Sequence, residues 1–485
     1  LLARVKARNC VAVGGLSEGE RPFFAAAVAH RTGRPVVLIS PTELTAQKQA
    51  QDITRLTGES AAMLPTRDVQ FSRAAASQES TWQRLGVLEE AAAGRLRILC
   101  LSAEGALDRC CPVERFRNAS LSLNESQTIS PTRLVDRLVQ NGYERVPMVE
   151  GKGQCAIRGD ILDVFPPNET DAIRIEFFGD EVDTIRRFDC ISQRSIARVK
   201  EVRLGPATEC IPDHASAAAD RLEAAYRAVA SVATLIRPSS EAGIPTELSA
   251  TDSFLAALDQ LDEENDAVKE MAATAILDAD AKAKGKPTHA PRPVDTLSAE
   301  QEREAQLKRH LDDVQRVRDG HPIRTAPMWM NVLCPDACFA TGYLTDPIVL
   351  VDQPDQLQIR VKTKRDAFLE EWQEAARRGD GFDAQRNLLY TYDDLLASFA
   401  HRSVTALSDL TRGLGRLNPE AAFAWQSEPV MPYQSRLEPL CKDIAGWKEQ
   451  GMAIVLLTGG EARGRRLLRA LSEQGTPATY ADTLD

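Results

Sequence analysis

Three short apolar runs near the start of the chain constrain its fold more than any other feature. Asn9–Val13, Pro35–Ile39 and Leu96–Leu101 are nearly unbroken in apolar residues, the pattern of strands buried on both faces. Between them, Phe23–His30 and Leu85–Ala93 read as helices, and Ser40 or Thr42 stands ready to cap the helix that follows the second run. Alternation of this kind predicts an α/β fold with a parallel sheet covered by helices on both sides.

The first run leads into "VGGLSEGERPFF", in which Gly14 and Gly19 keep the spacing of the phosphate-binding motif G-x4-G-K-S/T. A working loop of that type needs backbone amides aimed at phosphate, a Lys on the β/γ oxygens and a hydroxyl on Mg²⁺. Glu20 stands where the Lys belongs and brings a negative charge to the place of the triphosphate. Arg21 replaces the hydroxyl and cannot ligate Mg²⁺, and Pro22 removes an amide donor. Hydrolysis further needs a strand ending in Asp-Glu. The candidate, "IVLVDQP", supplies Asp352 and then Gln353, whose carboxamide cannot serve as a general base. Two readings fit: a degenerate nucleotide fold that does not hydrolyse, or an unrelated glycine turn. Nucleotide binding without hydrolysis stays open in the first, since backbone amides and Arg21 are both able to hold phosphate.

At 485 residues, about three domains are expected. A net charge of −11 argues against a chain-wide footprint for nucleic acid, and no apolar run is long enough to span a bilayer. Ten cysteines are scattered, with Cys334 and Cys338 the one loosely spaced pair and no second Cys/His pair beside it. Buried free thiols in a reducing cytoplasm are expected, without a structural metal. From Gly142 to Ser195 the texture is of strands broken by Gly159-Asp160, Pro166-Pro167 and Gly179-Asp180, an inserted antiparallel module. Beyond Arg203 the chain turns helical and acidic, with amphipathic spacing over Ala217–Val232 and Ser253–Ala275, a Lys/Pro-rich break at Ala281–Val294, and a charged helix over Ser298–Val317. Strands are expected at Ile348–Val351 and Ala453–Leu457, with a helix at Glu461–Gln474. The expected divisions are 1–118, 119–200, 201–425 with a linker at 281–297, and 426–485. Because the chain opens on Leu1 and stops just where "TPATYADTLD" would start another strand, a truncated last domain is expected.

One strand carries a candidate interface. In Ile173–Phe178, Ile173, Ile175 and Phe177 share one face, while Arg174, Glu176 and Phe178 share the other. If the first set is core, Phe178 lies outside beside Arg174, with Arg158 on a neighbouring strand. Aromatic and Arg side chains dominate binding hot spots, so this face has the composition of an interface anchor. Equally, another domain covers Phe178 and Arg174 makes an ordinary ion pair. Periodicity does not choose between them.

The segment Gly142–Ile196, with its runs "IRGDILDVFPPN", "RIEFFGDEVD" and "SQRS", strongly resembles the module shared by UvrB and the bacterial transcription-repair coupling factors. Weaker similarities in the right order, "LPTRDVQFSR", "LSAEGALDR", "VLVDQPD" and "VLLTGGEARGRRLLRAL", extend it over nearly the whole chain. The coupling factors fit better than UvrB, because UvrB keeps Lys, Thr and a catalytic Glu and carries an aromatic-rich hairpin. Here Ser102–Asn118 holds Phe116 as its one aromatic. The resemblance implies a catalytically silent, UvrB-like amino-terminal module that recruits UvrA through Arg158, Arg174 and Phe178. It implies further that ATP, Mg²⁺, double-stranded DNA and RNA polymerase are handled by a translocase half, against which this region folds as a clamp. The rival implication is an active UvrB-type helicase subunit. A cytoplasmic protein with no membrane association is expected either way.

Overall fold

The computed structural model describes residues 2–7, 9–69, 71, 78–235, 299–409, 413–426, 430, 432–458 and 460–481. The expected helix at 253–275 and the linker at 281–297 lie outside them. The described residues divide into one unit of residues 1–228 and 312–485, and a second of 229–311 that here comprises the ends of two helices.

The larger unit is built on a seven-stranded sheet in the order β15-β1-β14-β13-β2-β4-β3, and every pairing in it is parallel. Its strands are β1 (Cys10–Gly14), β2 (Val36–Ser40), β3 (Ala61–Met63), β4 (Ile98–Ser102), β13 (Ile348–Asp352), β14 (Ser403–Ser408) and β15 (Ala421–Ala424). The near-continuous apolar runs are the central strands, because a strand roofed by helices on both faces has no wet side. β2, β4, β13 and β14 are buried along their whole length. Two stretches of chain more than two hundred residues apart share this sheet: Cys10 lies in register with Val404, and Gly14 with Ser408.

Helix α1 (Leu2–Lys6) precedes β1, and α2 (Arg21–Thr32) follows the glycine loop. Thr42, and not Ser40, caps α3 (Glu43–Thr57): its hydroxyl accepts from the amide of Thr45 at 3.1 Å. Ser40 instead donates its hydroxyl to Gln49. Helix α4 (Gln78–Ala92) precedes β4 and begins earlier than its apolar stripe suggests. Phe116, in α5 (Val113–Ala119), is fully buried and meets the Tyr343 ring edge-on at 5.9 Å.

The inserted module hangs from a two-stranded antiparallel ribbon. β5 (Leu121–Asn124) carries the chain in and β12 (Glu201–Leu204) carries it out, with Leu121 opposite Leu204. Between them, α6 (Pro131–Gln140) packs Leu134, Val135 and Leu138 into a six-stranded sheet ordered β11-β10-β9-β8-β7-β6. These are β6 (Glu144–Arg145), β7 (Gln154–Arg158), β8 (Ile161–Val164), β9 (Ala172–Phe178), β10 (Glu181–Phe188) and β11 (Ser195–Val199). The module is antiparallel as expected except where β6 joins β7 in parallel. Both Gly159 and Gly179 take positive φ in the expected hairpin turns.

One expected strand does not form. Ala453–Leu457 belongs to no sheet among the described residues, and Val455 and Leu457 are exposed. An apolar run becomes a strand only where a neighbour pairs its amides, and no described segment does so. The helices at Ala215–Leu235, Ala299–Arg318 and Glu461–Glu473 match their sequence patterns. Among the described residues, no helix is long and apolar enough to cross a membrane.

Candidate functional site

The six residues picked from the two nucleotide motifs do come together, at the carboxyl ends of β1, β13 and β14, where open α/β sheets place ligands. The polar side chains among them are all bonded within the protein. Arg21 is buried and bonds the fully buried Asp352 through Nη1 at 2.7 Å, while its Nη2 donates to Asp409 and, at 3.3 Å, to the carbonyl of Leu16. Asp352 also accepts from Gln49 Nε2 at 3.1 Å. Gln353 donates its carboxamide to Asp409 at 2.7 Å, from a left-handed backbone at φ +49. Burial pushes the Asp352 carboxyl up to about 6; Arg21 and Gln49 pull it down without cancelling that penalty.

The loop is filled in the same manner. Glu20 turns its carboxylate back so that Oε2 accepts from the Ser17 amide at 2.8 Å and the Ser17 hydroxyl at 2.7 Å. Trp425 donates its indole N–H to the other oxygen at 3.2 Å, and its ring stands edge-on to Phe24 at 6.1 Å. Gly19 meets nothing, whereas a Cβ on Gly15, at φ +91, would lie 2.3 Å from the carbonyl oxygen of Trp425. A carboxylate thus holds a loop amide, and a guanidinium pairs with the buried aspartate at the end of β13.

The second set lies on the outer face of the six-stranded sheet. Along β9, Ile173, Ile175 and Phe177 are buried, and Phe178 is 83% exposed. Arg158, at the end of β7, shares that face and is 55% exposed. Arg174 is only 18% exposed. It forms a fork with Asp163, with Nε on Oδ1 at 2.7 Å and Nη2 on Oδ2 at 2.9 Å, and lies over the Phe188 ring at 4.4 Å. Its Nη2 also donates to Gln193 at 3.0 Å, and Arg158 reaches the same Asp163 at 3.2 Å. Thus Phe178 is uncovered in this chain, and Arg174 makes an internal ion pair. Asp163 was missed because its importance depends on register: it faces Arg174 across β8 and β9, a pairing visible only once the hairpin is aligned. Asp409, just past β14, carries no motif at all.

The cysteines gather more than their spacing suggests. Cys110 and Cys338 exchange backbone hydrogen bonds at 2.8 Å, and Cys210 Sγ lies 3.9 Å from Cys334 Sγ. All ten are free thiols, and among the described residues no group of three or more His, Cys, Asp or Glu is arranged for a metal.

Residues 121–210, from the first strand of the ribbon to just past the second, match the UvrB interaction domain family. The chain is 34% identical to the transcription-repair-coupling factor of Bacillus subtilis (strain 168) over 220 residues, which are 44% of this chain and 19% of that protein. Over nearly half its length the chain is thus similar to the transcription-repair coupling factors, and residues 121–210 carry a UvrB interaction domain. Other coupling factors are similar: that of Myxococcus xanthus is 31% identical over 47% of this chain and 19% of its own length. UvrABC system protein B of Clostridium botulinum (strain Langeland / NCTC 10281 / Type F) is 33% identical over 115 residues, 24% of this chain and 17% of that protein. The chain thus spans about a fifth of the length of the coupling factors it matches.

Proposed function

We propose that this chain is a recruitment module for transcription-coupled nucleotide excision repair, docking UvrA on the outer face of its six-stranded sheet. The observation that carries the reading is Phe178: a large aromatic, exposed at the tip of β9, on an arginine-bearing face inside the segment that matches the UvrB interaction domain. Burying such a side chain in a partner is worth about 1.5–3 kcal/mol, and aromatic anchors tend to dominate interfaces. Arg158 supplies the guanidinium for a carboxylate on UvrA. Arg174, tied to Asp163, holds the face in shape and offers the remaining edge of its fork.

The seven-stranded sheet reads as a RecA/helicase-like fold whose nucleotide site is silent in this region. This chain then has no ATPase of its own; ATP-driven translocation on double-stranded DNA and contact with RNA polymerase belong to the rest of a coupling factor. The intramolecular clamp against that part is a further element of this reading, as is a cytoplasmic location.

The test is direct. Phe178→Ala and Arg158→Ala should each cut UvrA capture at least about ten-fold, as expected for anchor residues, with the thermal unfolding midpoint unchanged. Undiminished capture by both variants removes the assignment.

A further inference from the structure

The turn between β10 and β11 meets that face where Gln193 accepts from Arg174. Here Ile191 is 90% exposed, the most solvated of the large apolar side chains described. The turn that presents it is tightly bonded. Asp189 N donates to Arg194 O at 3.0 Å, Gln193 N to Asp189 O at 2.7 Å, and Ser192 N to Asp189 Oδ1 at 2.6 Å. Gln193 sits at φ +58, a conformation that its side chain helps to hold by donating Nε2 to the Cys190 carbonyl at 2.8 Å. The Oε1 of that same carboxamide accepts from Arg174. The loop is therefore clasped to the guanidinium that Asp163 fixes from the other side.

A stiff, β-branched side chain on a fixed turn has little freedom left to lose on binding, so its burial is converted to affinity with small entropic cost. Along the β9–β10 pair Phe178 lies at one end and Phe188, three residues before Ile191, at the other, with Arg174 between them. Arg158 and Arg194 are exposed cations on the module that carries this face. That layout suits a partner whose apolar sockets are bordered by carboxylates.

We propose that Ile191 is a second apolar anchor of the UvrA-docking face, seated by Gln193 against Arg174 and entering a separate socket on UvrA. The inference rests on the reading of Phe178 given above and extends it to a two-point contact. Two anchors on one rigid sheet fix orientation as well as affinity, because a single knob in a socket leaves rotation free.

The experiment titrates purified UvrA against the full chain carrying Ile191→Ala, Ile191→Val, Gln193→Ala or Phe178→Ala, with thermal unfolding of each. Ile191→Ala is expected to weaken binding about ten-fold with the unfolding midpoint and the salt dependence of binding unchanged, as for loss of buried apolar area. Ile191→Val should keep most of the affinity. Gln193→Ala should weaken it by roughly three-fold, as for a lost neutral hydrogen bond. If Ile191→Ala binds within two-fold of the parent while Phe178→Ala does not, the second anchor is wrong and the UvrA reading stands. If both bind normally the second anchor is wrong, and undiminished capture by Arg158→Ala as well removes the UvrA reading. Dimerisation of the parent chain that Ile191→Ala abolishes would assign the residue to self-association and overturn the proposal.

Discussion

Arg21 and Asp352 form a buried ion pair at the carboxyl end of β13. The guanidinium has several acceptors, whereas the carboxyl of Asp352 is pushed from 3.8 up to about 6. A carboxyl whose folded-state value is raised stabilises the fold most when protonated. Its contribution is fully present below about pH 4 and is lost as pH rises through about 6. At about 1.4 kcal/mol per unit, roughly 3 kcal/mol is at stake. Asp352→Asn cannot titrate, so the stability of the parent minus that of the variant should fall by up to that amount between pH 4 and pH 7 in urea unfolding. A flat or rising difference would show that Arg21 overcomes the burial penalty. Glu20, Arg21 and Gln353 were singled out in the sequence by their place in the motif spacing alone. Their partners were not: Asp409 is 388 positions from Arg21, and nothing in "ALSDL" marks it.

The loop after β1 shows where motif spacing misleads at the scale of an element. Spacing singled out Gly14 and Gly19, yet the glycine on which the local structure depends is Gly15. It turns with positive φ directly under β15, where the Trp425 amide donates to Gly14 O at 2.7 Å. Gly15→Ala combines a left-handed strain of about 1–2 kcal/mol with a backbone clash that no rotamer relieves. It should therefore destabilise the chain by at least about 2 kcal/mol and quench the contact between Trp425 and Glu20, read as a shift in tryptophan emission. Gly19→Ala, with open space around it, should stay within about 0.5 kcal/mol of the parent. Strands roofed on both sides were readable because burial alone dictates their composition. Ala453–Leu457 has that composition too, but strand formation also requires a pairing neighbour, which composition does not encode. The face of β9 was readable from alternation, while the role of Asp163 needed the register of β8 against it.

Across the larger unit, the inserted module is tied to the part built on the seven-stranded sheet by buried charge. Glu89 of α4 takes Arg203 of β12 and the Ser120 hydroxyl. Nearby, Glu209 is bound by Arg84 at 2.7 Å and Arg67 at 2.9 Å; burial alone would raise its carboxyl, but these two guanidiniums bring it down to about 2. On the proposed reading this assembly is a scaffold, whereas a motor needs a site that opens and closes around its fuel. Nucleotide should then leave the fold indifferent. A ligand present at 100 times its dissociation constant stabilises the state that binds it by about 2.7 kcal/mol, enough to move the unfolding midpoint by a few degrees. With Glu20 on the loop amide and Arg21 on Asp352, millimolar MgATP should shift the midpoint of this chain by less than about one degree on that scale. It should also show no turnover with UvrA and damaged DNA. A clear upward shift lost in Arg21→Ala would mean that Arg21 leaves Asp352 to hold phosphate. Steady hydrolysis would restore the rival reading of a UvrB-type helicase subunit, because catalysis would require the inward-facing network to open at a measurable rate.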